Sequence, residues 1–401
     1  MMEDVSAVIG VVGAGAMGAG IAQVAAARGH AVVIADAQSA ALARARAGHE
    51  KAMAREVEKQ RLTREAADAV LARITYVDGV SSEALSAFAP CTMVIEAIIE
   101  RLDAKQELFR ALERVLAPEA ILASNTSSLS IAALAGACAH KQRVVGVHFF
   151  NPAPVMPLVE VIPAITTAPA VAERARAFAA SWKKTTVMAA DTPGFIVNRV
   201  ARPFYGESLR LFEEGVADCA TIDWALRTVG GFRMGPFELM DFIGHDVNFA
   251  VTRSVFDGMF HDPRYRPSLH QQRLLEAGWL GRKSGRGFYD YAEGASAPAA
   301  IEDPVLAQQI VDRVLAMLVN EAVEAVHLGV CSVDDVELAM TTGVNYPRGL
   351  LTWGDEIGPA NVLARLQALQ YETGDDRYRP SVRLRRAVQA GTSLRDPRRY
   401  S

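Results

Sequence analysis

The segment VSAVIGVVGAGAMGAGIAQVAAARGHAVVIADA, residues 5–37, constrains the chain more than any other. An apolar, β-branched run over 5–12 leads into Gly13, Gly15 and Gly18. An alanine-rich stretch follows to Arg28, and a second apolar run over 31–35 stops at Asp36. A lone GxGxxG marks little more than a turn. The order strand, glycines, helix, strand, acid predicts a βαβ unit whose helix opens at the glycines. Gly13 permits the tight turn, Gly15 lets backbone approach a pyrophosphate, and Gly18 lets the helix pack closely on its strand. With Ala16 and Met17 they form a loop whose free N–H groups receive phosphate charge. Asp36 is placed to accept hydrogen bonds from an adenine ribose. Its carboxylate repels a 2′-phosphate, and Ala37-Gln38 offers no arginine to receive one. NAD is expected rather than NADP.

The same alternation continues. A polar helix carrying Arg44, Arg46, Lys51, Arg55, Lys59 and Arg61 is predicted over 40–63, reading either as a solvated charged face or as a basic surface for an anionic ligand. Strands are predicted over 92–95, 120–123 and 143–148, with a helix over about 103–116. This pattern reads as α/β, a Rossmann-like doubly wound parallel sheet.

His148 ends the apolar run RVVGVHF, where doubly wound folds place ligands outside the carboxyl ends of the strands. Pro152, Pro154 and Pro157 break the chain, and Glu160 then stands in the otherwise apolar LVEVI. A buried carboxylate needs a partner. A turn between the two runs returns Glu160 to His148, and a carboxylate that orients an imidazole suits a general base. Histidine's ordinary pKa of about 6.5 fits that work near neutrality. A lone strand-end histidine can also be a satisfied structural residue. Here a cofactor loop, the polar SNTSS stretch and a buried acid converge on it. No HExxH and no clustered His/Cys set points to a metal.

At these residues the chain resembles a known family. GAGAMGAGIA, SNTSSLSI, HFFNPAPVMPLVEVI, DTPGFIVNRV and MGPFELMDFIG, in this order, resemble the 3-hydroxyacyl-CoA dehydrogenases from residue 5 to about 291. The resemblance implies that His148 takes the proton of a 3-hydroxyl as hydride leaves C3 for the nicotinamide, with Glu160 as its orienting carboxylate. It implies that Ser127 hydrogen-bonds the reacting oxygen and that Asn198 holds the substrate and the histidine. Glu100, Lys105, Asn151 and Lys283, with Ser127, match family positions lining the cofactor site. Lys59 falls where the family places a lysine near the CoA moiety, although the neighbouring family serine is Ala52 here. The alternatives are a non-catalytic NADH- or acyl-CoA-binding protein on this scaffold and another Rossmann reductase acting on imines or β-hydroxyacids.

From Asp191 the pattern turns helical, and a long amphipathic helix is predicted from IVNRV onward. IVNRV at 196–200 is echoed by IVDRV at 310–314, 114 residues later. Glu207, Gly215, Gly235, Asp241 and Gly244 face Glu321, Gly329, Gly349, Asp355 and Gly358. RYRPS occurs at 264–268 and again at 377–381. The predicted domains are 1–190 for NAD, 191–292 helical, a linker over 293–304, and a second, degenerate helical copy over 305–401. Asp312 stands opposite Asn198, and no second glycine loop precedes the copy. In the shorter members of the family the helical domain forms the dimer interface. The copy is therefore expected to act as a built-in partner, with a homodimer of the whole chain left open. This organisation, with GVNYPRGLLTWG, resembles the members that act on 3-hydroxyadipyl-CoA in phenylacetate catabolism; a short-chain 3-hydroxybutyryl-CoA dehydrogenase is the alternative. Arg233, where the family commonly has proline, reads either as a surface cation or as the partner of a distal acyl carboxylate.

With 42 Lys and Arg against 46 Asp and Glu, the net charge of -4 argues against a general nucleic-acid binder. The four cysteines form no CxxC pair. The opening MMEDV lacks the cationic start of a signal peptide, and no apolar run nears the roughly 20 residues that span a bilayer. A cytoplasmic setting without membrane or nucleic acid follows as the expectation.

Overall fold

The structure, a computed structural model, describes residues 7–296 and 298–396. The chain divides into two compact units, Met1–Thr192 and Pro193–Ser401. Val5 and Ser6, the start of the expected first strand, lie outside the described residues.

In the first unit the elements run β1 (Val8–Val12), α1 (Ala16–Ala27), β2 (Ala31–Asp36), α2 (Ser39–Glu58), α3 (Arg64–Ala72) and β3 (Ile74–Asp78). They continue α4 (Ser82–Leu85), β4 (Cys91–Glu96), α5 (Leu102–Val115), β5 (Ile121–Ser124) and α6 (Ile131–Ala135). The unit closes with β6 (Val144–Phe149), β7 (Leu158–Pro163), α7 (Pro169–Ser181) and β8 (Thr185–Met188). The eight strands form one sheet in the order β3-β2-β1-β4-β5-β6-β7-β8. Strands β1 to β6 pair in parallel, and the central residues of β1, β2, β4, β5 and β6 are buried, as a sheet covered on both faces requires.

In this unit two expectations need correction, and two strands were not foreseen. The sheet is mixed, because β7 runs antiparallel to β6 and β8 is parallel to β7. The short connection over 150–157 allows a reversal but not a parallel crossover. The edge strands β3 and β8 carry no apolar run to betray them, being covered on fewer sides and only partly buried. The basic helix also stops earlier than expected. Helix α2 ends at Glu58, Gln60 takes a left-handed φ of 55°, and Thr63 caps the separate α3.

The second unit is helical: α8 (Val197–Val200), α9 (Arg202–Glu213), α10 (Cys219–Thr228), α11 (Pro236–Ile243), α12 (His245–Gly258) and α13 (Leu269–Glu276). The copy repeats this as α14 (Pro304–His327), α15 (Val333–Gly343), α16 (Leu350–Ile357), α17 (Pro359–Thr373) and α18 (Val382–Ala390). The long helix expected from IVNRV is broken into α8 and α9. Pro203 has no N–H to continue the ladder. Met317 occupies the matching position in the copy, and α14 runs unbroken for 24 residues.

Helix α14 packs against α9 and α10 of the first copy, and two buried ion pairs cross between the copies reciprocally. Arg199 Nε donates to Glu321 Oε1 at 2.6 Å, and Arg313 Nε to Glu207 Oε2 at 3.1 Å. The repeated pentapeptide belongs to the same arrangement. Its tyrosines donate across the boundary, Tyr265 to Glu321 Oε1 at 2.5 Å and Tyr378 to Glu207 Oε2 at 2.9 Å. The two pentapeptides also meet, where Arg264 Nη2 donates to the carbonyl of Arg379 at 3.3 Å.

Candidate active site

Strand β1 delivers the chain to Gly13, whose φ of 105° is left-handed and whose added Cβ would lie 2.5 Å from the Ala97 carbonyl oxygen. A Cβ on Gly18 would lie 1.8 Å from the Gly13 carbonyl oxygen. Backbone therefore packs on backbone at both positions, and no side chain fits. A Cβ on Gly15, by contrast, would meet nothing within 4 Å. That open side belongs to a cleft of about 1270 Å³ lined by Gly13, Gly15, Asp36, Gln38, Ile98 and Asp103, among others. Ala16 and Met17 form the first turn of α1. Asp36, ending β2, accepts from Ala14 N at 2.6 Å and Gln38 N at 2.8 Å, so its carboxylate is tied to the glycine loop and faces the cleft. The loop, the bare Gly15 backbone and the carboxylate fit a dinucleotide whose ribose carries no 2′-phosphate.

The ends of β4 and β5 build a second layer. Glu100 Oε1 accepts from Thr126 Oγ1 at 2.6 Å, Ser128 Oγ at 2.8 Å and Ser127 N at 3.1 Å. Burial opposes its charge, yet Lys105, 3.2 Å away, and the hydroxyl donors outweigh that and hold the carboxyl below its usual range. Lys105 is 1% exposed and reaches Glu96 Oε1 at 2.5 Å. It therefore supports Glu100 and Glu96 from within rather than lining the cleft with its own surface. Glu96, fully buried, also accepts from Ser124 Oγ at 2.7 Å. Sequence reasoning overlooked Glu96; an acid closing an apolar strand was its available signal.

His148 and Glu160 are direct register partners of β6 and β7, which puts both side chains on one face. Glu160 Oε2 lies 2.7 Å from His148 Nδ1; the acid is fully buried and the histidine 6% exposed. With Nδ1 donating to the carboxylate, Nε2 carries the lone pair that a base needs. Phe150 lies 4.5 Å from the imidazole, ring centre to ring centre. Asn125 Oδ1 accepts from Phe149 N at 2.8 Å and fixes the end of β6. Ser127 is half-buried, Asn151 is exposed before Pro152, and Lys59 is exposed as the C-cap of α2. Asp191 caps α6 by accepting from Ala132 N at 2.7 Å and Ile131 N at 2.9 Å.

Three expected site residues belong to the second unit. Asn198 is half-buried on α8, Arg233 is exposed between α10 and α11, and Lys283 pairs with Asp246 at 2.5 Å. The backbone around Lys283 is pinned by Asp241, which accepts from Phe288 N and Tyr289 N, each at 2.9 Å. Among the described residues no helix is long and apolar enough to cross a membrane.

Known proteins resemble the chain over most of its length. The family model described as 3-hydroxyacyl-CoA dehydrogenase, NAD binding domain, matches residues 8–192. The model for the 3-hydroxyacyl-CoA dehydrogenase C-terminal domain matches twice, over 194–291 and 310–398. The chain is 39% identical to the 3-hydroxyadipyl-CoA dehydrogenase of Escherichia coli K12, covering 96% of this chain and 98% of that one. It is 42% identical to the 3-hydroxybutyryl-CoA dehydrogenase of Bradyrhizobium diazoefficiens, over 72% of this chain and 97% of the relative. A crystal structure titled 3-hydroxybutyryl-CoA dehydrogenase, from Escherichia coli K12, superposes with a TM-score of 0.90 at 38% identity, covering 96% of this chain and 98% of that one.

Proposed function

The chain belongs to the 3-hydroxyacyl-CoA dehydrogenase family, and from that premise we propose that it oxidises an (S)-3-hydroxyacyl-CoA to the 3-oxoacyl-CoA. The observation carrying this is the His148–Glu160 pair at the end of β6. His148 Nε2 takes the proton from the substrate's 3-hydroxyl, and Glu160 stabilises the imidazolium that results. Ser127 and Asn198 orient the reacting oxygen, so that the alkoxide forms where its charge is met by donors. Bound NAD supplies the hydride acceptor. Gly13, Gly15, Ala16, Met17, Gly18 and Asp36 would hold its adenosine and pyrophosphate, with Glu100, Asn151 and Lys283 further along the cofactor and Lys105 supporting Glu100. Lys59 serves the CoA moiety.

For the acyl group we take 3-hydroxyadipyl-CoA first, because the Escherichia coli relative with that name matches through the second copy. Exposed Arg233 is suited to a distal carboxylate. The 3-hydroxybutyryl name on a structure of equal coverage makes the short substrate the competing reading. The reading assumes the division 1–190, 191–292, linker 293–304 and 305–401, with the copy as built-in partner of the first helical domain; the reciprocal Arg–Glu and Tyr–Glu bonds support it. A cytoplasmic setting belongs to the same reading. NADH formation measured with 3-hydroxybutyryl-, medium-chain 3-hydroxyacyl- and 3-hydroxyadipyl-CoA tests it. Turnover of none of the three overturns it.

A further inference from the structure

We infer that Glu321, on the second helical copy, acts as a positioning residue for Asn198 on the first. This rests on the proposed role of Asn198. Helix α8 carries that residue and is a single turn, too short to hold its own geometry. It is approached through Gly194 and Phe195, both left-handed at φ of 78° and 49°. What it packs against includes α14 and α15 of the copy.

Within α8, Arg199 follows Asn198 directly and is 1% exposed. Burial opposes its charge, but Glu321 and Tyr265 beside it lift its pKa above the ordinary value. Among the described residues Glu321 alone brings a carboxylate within ion-pair distance of Arg199. Glu321 is in turn fixed by the Tyr265 hydroxyl, and Arg264 lies 3.7 Å from its other oxygen. The backbone of Asn198 is thus tethered, one residue away, to an acid on the copy.

The duplication contains its own control. The mirror-related acid, Glu207, receives Arg313, but Arg313 also makes a two-pronged contact with Glu214 at 2.6 and 2.9 Å. Leu328 occupies the position equivalent to Glu214, so Arg199 has no such second acid. The neighbour of Arg313 is Asp312, which pairs with Arg365 at 2.7 Å. Two buried pairs of similar construction therefore differ in what they hold.

The test compares NADH formation and thermal melting for Asn198→Ala, Glu321→Ala, Glu207→Ala and the double variant Asn198→Ala/Glu321→Ala in the full chain. Glu321→Ala is expected to lower kcat by about ten- to a hundredfold, the size of effect a misplaced group produces, with the KM for NAD unchanged. Glu207→Ala is expected to lower the melting temperature comparably while keeping kcat within about twofold. The double variant should be no slower than Asn198→Ala alone, because the two act through one group. Glu321→Gln, which keeps an acceptor for Tyr265, should show a smaller loss in the same direction and serves if the alanine variant does not fold. Wild-type kcat in Glu321→Ala with an impaired Asn198→Ala overturns the inference alone, as do additive losses in the double variant or equal kcat losses in the two glutamate variants. An unimpaired Asn198→Ala overturns the role of Asn198 and the inference with it.

Discussion

Glu160 Oε2 lies 2.7 Å from His148 Nδ1 across the antiparallel pairing of β6 and β7. Glu160→Gln keeps the shape and removes the charge that supports an imidazolium. It is expected to lower kcat by about 10²-fold or more, and His148→Gln by about 10²- to 10⁴-fold. Unchanged turnover in His148→Gln would show that the base lies elsewhere.

Asp36 sets cofactor choice by charge. In Asp36→Asn the ratio of kcat/KM for NAD over NADP is expected to fall by about tenfold or more, one modest charge interaction's worth. A ratio that stays constant in paired kinetics with the two cofactors would remove Asp36 from that role.

The carboxyl of Asp223 is pushed up to about 7, chiefly by burial, against the bonds it accepts from Tyr289, Phe237 N and Glu238 N. Its unfolded value is near 3.9, so the folded state binds the extra proton between those pH values. This contribution to stability is present in full at acid pH and is lost as pH rises through about 7. Asp223→Asn should therefore gain on wild type by on the order of a few kcal/mol between pH 4 and 8. Urea unfolding across that range checks it, and a difference independent of pH contradicts it.

Arg233→Ala separates the two acyl readings. If Arg233 meets a distal carboxylate, kcat/KM for 3-hydroxyadipyl-CoA should fall by about tenfold or more while 3-hydroxybutyryl-CoA is little affected. Equal effects on both substrates would leave Arg233 a surface cation.

Truncation after residue 292 removes α14 from α9 and α10 and leaves Arg199 and Glu207 without their partners on the copy. Breaking buried pairs and baring an apolar face is costly, so an aggregated or more strongly dimeric product is expected in sedimentation. A well-behaved monomeric truncate would count against the built-in partner.

The sequence by itself determined the βαβ start, the glycine loop with Asp36, the placing of His148 and Glu160 for one another, and the duplication, at an offset of 114 that becomes 113 by RYRPS. These are local or periodic signals, in which near neighbours state their own geometry. The edge strands β3 and β8, the end of α2 at Glu58 and the break at Pro203 were harder to read, because partial burial and turn geometry override composition there. Only the tertiary structure decided what RYRPS is for. Tyr265 and Glu321 are 56 residues apart and Tyr378 and Glu207 171 apart, and each tyrosine serves the acid of the opposite copy. Nothing in a pentapeptide names that partner. It follows from the packing of α14 against the first copy, which buries the acids and obliges them to find donors.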